Sequence, residues 1–317
     1  MRIASLLPAA TEWICALGCS DALVARSHEC DHPPDAVAEV PAVTRAAYDD
    51  QGDSAAIDAA VRHTLQQGLS LYPIDLDRLQ ALQPDLIVTQ DQCDVCAVSR
   101  DALQDALASW SGPSPGVFSM QPRTLKAVLD MALRLGTRLG HARDAMRVIA
   151  EREKRLHRLQ RRLEYDRRTA DPDALPTVAC IEWLDPLMIA GHWTPDLVEM
   201  AGGRAVLADA GAPSEPLAFD ALRDADPDVI VILPCGFSIE QTRRDLPALT
   251  DRSGWSSLRA VQTSRVALLD GNAYFNRPGP RLYRSIELLS AVLHGVSLNP
   301  PPKPWEMRSL SSVRPSG

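Results

Sequence analysis

The feature that most constrains this chain is a recurrence. DRLQALQPDLIVTQ, from Asp77, and DALRDADPDVIVIL, from Asp220, both place Asp seven residues before Pro and carry Leu at the third position. In both, Pro-Asp is followed by a run rich in β-branched residues. Each reads as a short helix, a break and a buried strand, because Pro cannot continue a helix and the apolar run has strand length. A second pair, TEWICALG from Thr11 and PDLVEMAG from Pro195, reads as a short helix after an apolar strand, closed by Gly. Paired signals in the same order predict two halves of similar architecture.

Further strand signals fall at residues 2–7, 22–27, 86–89, 178–181 and 229–233, separated by helical or polar stretches. Such alternation predicts a mainly parallel sheet covered by helices. Between the halves, His141 to Arg168 contains neither Gly nor Pro, and Met146, Ile149, Leu156, Leu159 and Leu163 suggest one apolar face. At about 1.5 Å per residue it would reach roughly 40 Å, a stiff connector rather than a flexible linker. The fold class expected is therefore α/β, with two Rossmann-like lobes joined by one long helix. The boundaries read as an N-terminal lobe at 1–140, the helix at 141–168 and a C-terminal lobe at 169–299. The Pro- and Ser-rich tail at 300–317 reads as poorly packed.

A formal charge of -8 with no basic stripe argues against a nucleic-acid partner. No run reaches the roughly 18 to 20 apolar residues of a membrane span, so the chain is not expected to be membrane-embedded. The first residues, MRIASLLPAATEWICALGC, resemble a lipoprotein signal ending at Cys19, but Pro8 and Glu12 interrupt the apolar stretch and Arg2 alone supplies positive charge. That reading, with seven cysteines in no disulfide-like spacing, leads to the expectation of a cytoplasmic protein.

In open parallel sheets, ligands bind beyond the carboxyl ends of the strands. The unusual residues of this chain concentrate there. One strand runs into SHECDHPP, with His28, Cys30 and His32; the Leu86 strand runs into TQDQCDVC, with Cys93 and Cys96. In the second half, one strand leads into EWLDPLMIAGHW, with Trp183, His192 and Trp193, and another into PCGF, with Cys235 and Phe237. Trp183, Trp193, Tyr72 and Phe237 are candidate walls for a large flat ligand, with packing as the plainer explanation of any single one. Cys30, Cys93, Cys96 and Cys235 could together hold zinc or an iron–sulfur cluster, because thiolates are soft, charged ligands. A redox dithiol is less well supported, since the helix-cap signal at Ser99 follows Cys96 instead of preceding Cys93. Cys15, Cys19 and Cys180 lie within apolar patterns and read as core. No G-x-S-x-G, P-loop or dinucleotide fingerprint is present, which favours a binding protein over an enzyme.

SLLPAATEWICALG, PDLIVTQ, GHWTPDLVEMAGG and NAYFNRPGPRLYRSIELLSAVLHG, spread from Met1 to about Gly295, resemble the substrate-binding proteins of vitamin B12 and iron–siderophore import. This is a class III periplasmic-binding-protein-like family, and SHECDHP with TQDQCDVC is similar to a subgroup labelled cobalamin-binding. The resemblance implies two α/β lobes joined by one long helix, with a corrinoid or related metal chelate held in the cleft and an ABC transporter permease as partner. On that reading Trp183, Trp193 and Phe237 touch the ligand, joined by Tyr72, while His28, His192 or a cleft cysteine approaches its metal. The rival expectation is a cytosolic metalloprotein or enzyme with the four cleft cysteines around zinc or an iron–sulfur cluster; a protein-interaction module is a third.

Overall fold

The structure, a computed structural model, describes residues 1–49, 52–67, 70–90, 103–104, 107–167 and 175–310. The chain divides into two compact units. The first comprises Met1–Gly52, Ala56–Pro122 and Lys126–Ala150, the second Asp53–Ala55, Arg123–Leu125 and Glu151–Gly317. Both are of the α/β class.

The first unit is built on β1 (Ile3–Ser5), β2 (Leu23–Arg26), β3 (Leu86–Gln90) and β4 (Gly116–Met120). All pairings are parallel, in the order β2-β1-β3-β4. Every residue of β1 and β3 is buried, as the inner strands of a sheet covered on both faces must be. The second unit contains β5 (Thr177–Trp183), β6 (Met188–Ile189), β7 (Arg204–Ala205), β8 (Glu215–Pro216), β9 (Val229–Ile232), β10 (Val266–Leu269) and β11 (Met307–Ser309). Its parallel part pairs β7 with β5, β5 with β9 and β9 with β10, the same relative order as in the first unit. Antiparallel β6 and β8 extend one side and β11 the other. Ile181, Ile230, Ile232, Leu268 and Trp255 lie in the second unit's core.

The recurrence in the sequence corresponds to one local structure made twice. The helices Leu76–Ala81 and Phe219–Ala225 each lead through a left-handed residue, Gln83 at φ 45° and Asp226 at φ 37°, into Pro-Asp and a strand. The Asp after Pro then fastens the start of the neighbouring strand. The Asp85 carboxylate accepts the Arg2 amide at 2.6 Å, while the Asp85 amide donates to the Arg2 carbonyl at 2.8 Å. The Asp228 carboxylate accepts the Thr177 amide at 2.9 Å and its hydroxyl at 2.8 Å. Charge-assisted bonds of this kind are about twice as strong as neutral ones.

The second pair also closes alike. After the helix Pro8–Ala16, the Gly18 amide bonds the Cys15 carbonyl at 3.0 Å and Cys19 bonds Ile14 at 3.0 Å. After Thr194–Met200, Gly202 bonds Glu199 at 2.9 Å and Gly203 bonds Val198 at 2.9 Å. Both are Schellman closures, and Gly18 and Gly202 take the positive φ, 77° and 86°, that this closure requires.

The long helix spans Ala142–Arg167, contributing residues through Ala150 to the first unit and from Glu151 to the second. Its buried positions are Ala145, Val148, Ile149, Leu156, Leu159 and Leu163; Met146, which the apolar pattern assigns to that face, is 60% exposed. Met146 is out of phase with a 3.6-residue stripe that Ala145 and Val148 complete.

The segment after Asn299 departs from expectation. It is packed through residue 309: β11 pairs antiparallel with β10, and Glu306 is buried. A charge network holds it there, which Pro and Ser content cannot reveal. Arg284 donates to both Glu306 carboxylate oxygens, at 2.9 and 3.0 Å, and to Glu287 at 3.0 Å. Arg155 also donates to Glu287 and reaches the Asn299 carbonyl at 3.1 Å. Burial works to raise the Glu306 pKa, but the Arg284 guanidinium and the Lys303 amide together lower it. Its stabilising contribution is therefore complete above the ordinary value of 4.5 and is lost as pH falls through the lower folded value. Glu306→Gln, which leaves Arg284 underpaired, is expected to destabilise the protein by about 3 kcal/mol at pH 7. Thermal unfolding between pH 3 and 7 should show the wild-type advantage vanishing at the acid end; equal stabilities at pH 7 would contradict it.

Candidate functional site

In the second unit the chemistry gathers at the carboxyl ends of β5, β9 and β10. Glu182 and Trp183 close β5, and a bulge after Ile181 lets both leave the regular pleat. The Pro234–Phe237 turn comes after β9; the Cys235 amide donates to the Glu182 carbonyl at 3.0 Å, and Gly236 adopts φ 74°. This turn sets the Phe237 ring 5.2 Å from the Trp183 ring at 55°, a tilted aromatic pair. A wide helical turn, Gly271–Phe275, comes after β10, and its Asn272 amide donates to the Phe237 carbonyl at 3.2 Å. Gly271 is obligatory here because a side chain would collide with the Leu233 and Pro234 carbonyls. The Phe275 carbonyl accepts the indole N–H of Trp193 at 2.8 Å, and the His192 ring lies 5.7 Å from Trp193 at 33°.

Two further groups bear on the site's electrostatics. Glu182 is half-buried at the surface, with its carboxyl enclosed; burial raises its pKa against the opposing bonds from the Ser214 hydroxyl and the Gly191 amide. His192 is pushed the other way, its pKa lowered first by burial and second by the Arg123 guanidinium, so the ring stays neutral. The Trp183 Nε1 atom is buried with no hydrogen-bond partner among the described residues, a condition that is uncommon in native proteins.

In the first unit, His28 and Tyr72 come together, with ring centroids 5.6 Å apart. Tyr48 joins them through a 3.0 Å contact between the two phenol oxygens. His28 Nδ1 lies 2.7 Å from Thr44 Oγ1, and that hydroxyl donates to Ser27 at 3.1 Å. Ser5, Thr11, Ser27, Thr44 and Thr89 are all buried at this end of the sheet. The strand ends thus carry a polar, hydrogen-bonded floor beneath the two rings. A cavity of about 480 Å³ elsewhere in this unit, beside β4 with Phe118, Ser119 and Arg134 in its wall, involves none of the residues expected from the sequence.

The cysteines separate into distinct environments. Cys15 and Cys180 are held protonated by burial, at about 11 and about 12, and Cys19 is shifted in the same direction. Cys30 is fully buried, its thiol donating to the Ser5 carbonyl at 3.6 Å, while Cys235 is partly exposed in the second unit. Cys93, Cys96 and the expected cap at Ser99 lie outside the described residues. Among the described residues no group of three or more His, Cys, Asp or Glu could hold a metal ion, nor is any helix long and apolar enough to cross a membrane.

Several residues of these clusters carry no signal in the sequence. Ser214, Arg123, Thr44 and Tyr48 lie in segments with no diagnostic spacing, and only the fold carries them to the strand ends. Trp193, a candidate from the sequence, is 8% exposed and anchored by its own hydrogen bond.

The description "Periplasmic binding protein" belongs to the family model that matches residues 3–273. Among curated relatives, a vitamin B12-binding protein of Vibrio cholerae serotype O1 is 24% identical over 299 residues, spanning 92% of this chain and 88% of that protein. One of the same name from Pectobacterium atrosepticum is 22% identical over 302 residues, spanning 94% and 90%. Among solved structures, a periplasmic heme binding protein from Pseudomonas aeruginosa superimposes with a TM-score of 0.71, at 20% identity and 97% coverage of both chains. The periplasmic vitamin B12 binding protein of Vibrio cholerae gives 0.62, at 22% identity and 92% and 96% coverage. These findings correct the expectation of a cytoplasmic protein: the family whose model matches, described as periplasmic, points to the periplasm. Pro8 and Glu12 are explained by the fold instead, since both are buried in the helix after β1. With most of its length matched, the chain belongs to the periplasmic binding protein family.

Proposed function

We propose that this chain is a substrate-binding protein for a corrinoid, or a metal chelate of similar size, which it delivers to the permease of an ABC transporter. The observation that carries the proposal is the Trp183–Phe237 pair at the ends of β5 and β9, with a buried indole N–H that has no partner among the described residues. A large macrocycle bearing peripheral hydrogen-bond acceptors suits such a wall, which offers apolar area together with one directed donor. The vitamin B12-binding relatives support the corrinoid class, and the heme-binding neighbour supports a metal macrocycle more generally. In the first unit, His28 and Tyr72, set on the polar floor of Ser27 and Thr44, form a separate candidate ligand-binding surface.

The purified protein titrated with cobalamin and with cobinamide is expected to give a saturable absorbance change and a calorimetric heat for at least one of them. Each of Trp183→Ala and Phe237→Ala should weaken binding by about 10- to 100-fold, the effect of losing roughly 1.5–3 kcal/mol of aromatic burial. Neither heat nor absorbance change with the wild type would remove the proposal. Undiminished affinity in both variants would remove the assigned wall.

A further inference from the structure

Resting on that reading of the ligand as a metal chelate, we infer that His192 is the metal-facing donor of the site, its imidazole nitrogen occupying an open axial position of the bound chelate. Three observations converge on this residue.

The first is its backbone. His192 sits at φ 51°, a left-handed conformation that residues other than Gly seldom adopt. It is held there on both sides, by its amide donating to the Ala212 carbonyl at 2.6 Å and its carbonyl accepting from Gly211 at 2.8 Å. The preceding Gly191 has no room for a side chain, since a β-carbon there would meet the Ala212 carbonyl at 2.5 Å and Pro213 at 2.7 Å. The surrounding loop therefore fixes the direction in which the imidazole leaves the chain.

The second is what the ring does not do. His28, His63, His141, His157 and His294 each engage a ring nitrogen in a hydrogen bond. No such bond reaches either ring nitrogen of His192 among the described residues. A ring oriented so closely, with its nitrogens uncommitted, is suited to a partner that arrives from outside the chain.

Third comes position. His192 lies against Trp193, Trp193 is tied to Phe275, the Gly271–Phe275 turn is tied to Phe237, and Phe237 packs on Trp183. The imidazole is thus linked, through Trp193 and the Gly271–Phe275 turn, to the turn that carries Phe237. The other candidate donors are less available: Cys30 is buried, and His28 is engaged by Thr44 and Glu29.

The chemistry of the bond is simple. Only a neutral imidazole has a lone pair to give. The step is a ligand exchange: the nitrogen lone pair forms a bond to the metal, a metal-bound water leaves, and neither electrons nor protons change hands. Imidazole is a suitable ligand for cobalt and iron alike. A chelate with a free or water-filled axial position gains this bond, whereas one with both positions filled by tight ligands does not.

The test uses diaquacobinamide and ferric protoporphyrin IX as probes, with binding followed by tryptophan quenching and coordination followed by the metal's absorption bands. Wild type is expected to bind at least one probe with a shifted absorption spectrum. His192→Asn and His192→Gly both tolerate the left-handed backbone; each should lose the shift and bind that probe at least 10-fold more weakly. Free imidazole should restore the shifted spectrum in His192→Gly. Wild-type quenching with an unshifted metal spectrum overturns the inference while leaving the proposed function standing. So does a variant spectrum identical to that of the wild type. Neither quenching nor calorimetric heat with either probe overturns the inference, and the same silence with cobalamin overturns the proposed function as well.

Discussion

The carboxylates of Asp85 and Asp228 each grip the backbone where the first strand of a sheet begins, and each is delivered by the same succession of helix, left-handed residue and Pro. A parallel sheet needs its strands to start level, because every strand then finishes on the same edge. The lateral bond from a residue at the foot of β3 to the foot of β1 sets that level in the first unit; the equivalent bond from β9 to β5 sets it in the second. The opposite edge of each sheet inherits this alignment. Ser5, Ser27 and Thr89 reach one carboxyl edge together, while Glu182, the Pro234–Phe237 turn and the Gly271–Phe275 turn reach the other.

That edge in the second unit combines rigidity with incompleteness. Its backbone is cross-tied by the bonds from Cys235 to Glu182, from Asn272 to Phe237 and from Trp193 to Phe275. Among the described residues, the buried indole N–H of Trp183 has no partner, and no side-chain hydrogen bond reaches the ring nitrogens of the half-buried His192. A folded protein ordinarily satisfies buried polar groups internally, so groups left open on a tied scaffold are suited to an incoming ligand. Burial acts on both titratable residues of the edge in the same sense, opposing charge on Glu182 and on His192. Arg123 is a neighbouring cation.

Much of this is legible in the sequence, and the reasons are local. The Pro-Asp junctions and the Gly-closed helices are set by φ preferences and missing amides, which residue identity alone determines. Trp183, Phe237, His192, His28 and Tyr72 can be placed because each lies close to a strand or loop signal that the apolar pattern makes easy to recognise. Ser214 and Arg123 are illegible because each meets the site only through tertiary folding. Met146 misleads because it is apolar yet lies one step off the buried stripe. The segment after Asn299 misleads for a related reason: its anchors, Arg284 and Arg155, are on distant helices, so composition suggests slack where an ion pair holds Glu306. The N-terminal stretch shows the same limit, since its composition bears on that stretch and not on the compartment in which the family works.

The central claim is that the carboxyl edge of the second unit holds the ligand. Hydrogen–deuterium exchange with and without saturating cobinamide tests it most directly, because the amides of Cys235, Phe237 and His192 already have defined partners against which added protection can be measured. The account predicts slowed exchange in the peptides covering residues 182–193 and 234–238. Saturated binding with unchanged exchange in both segments would contradict it.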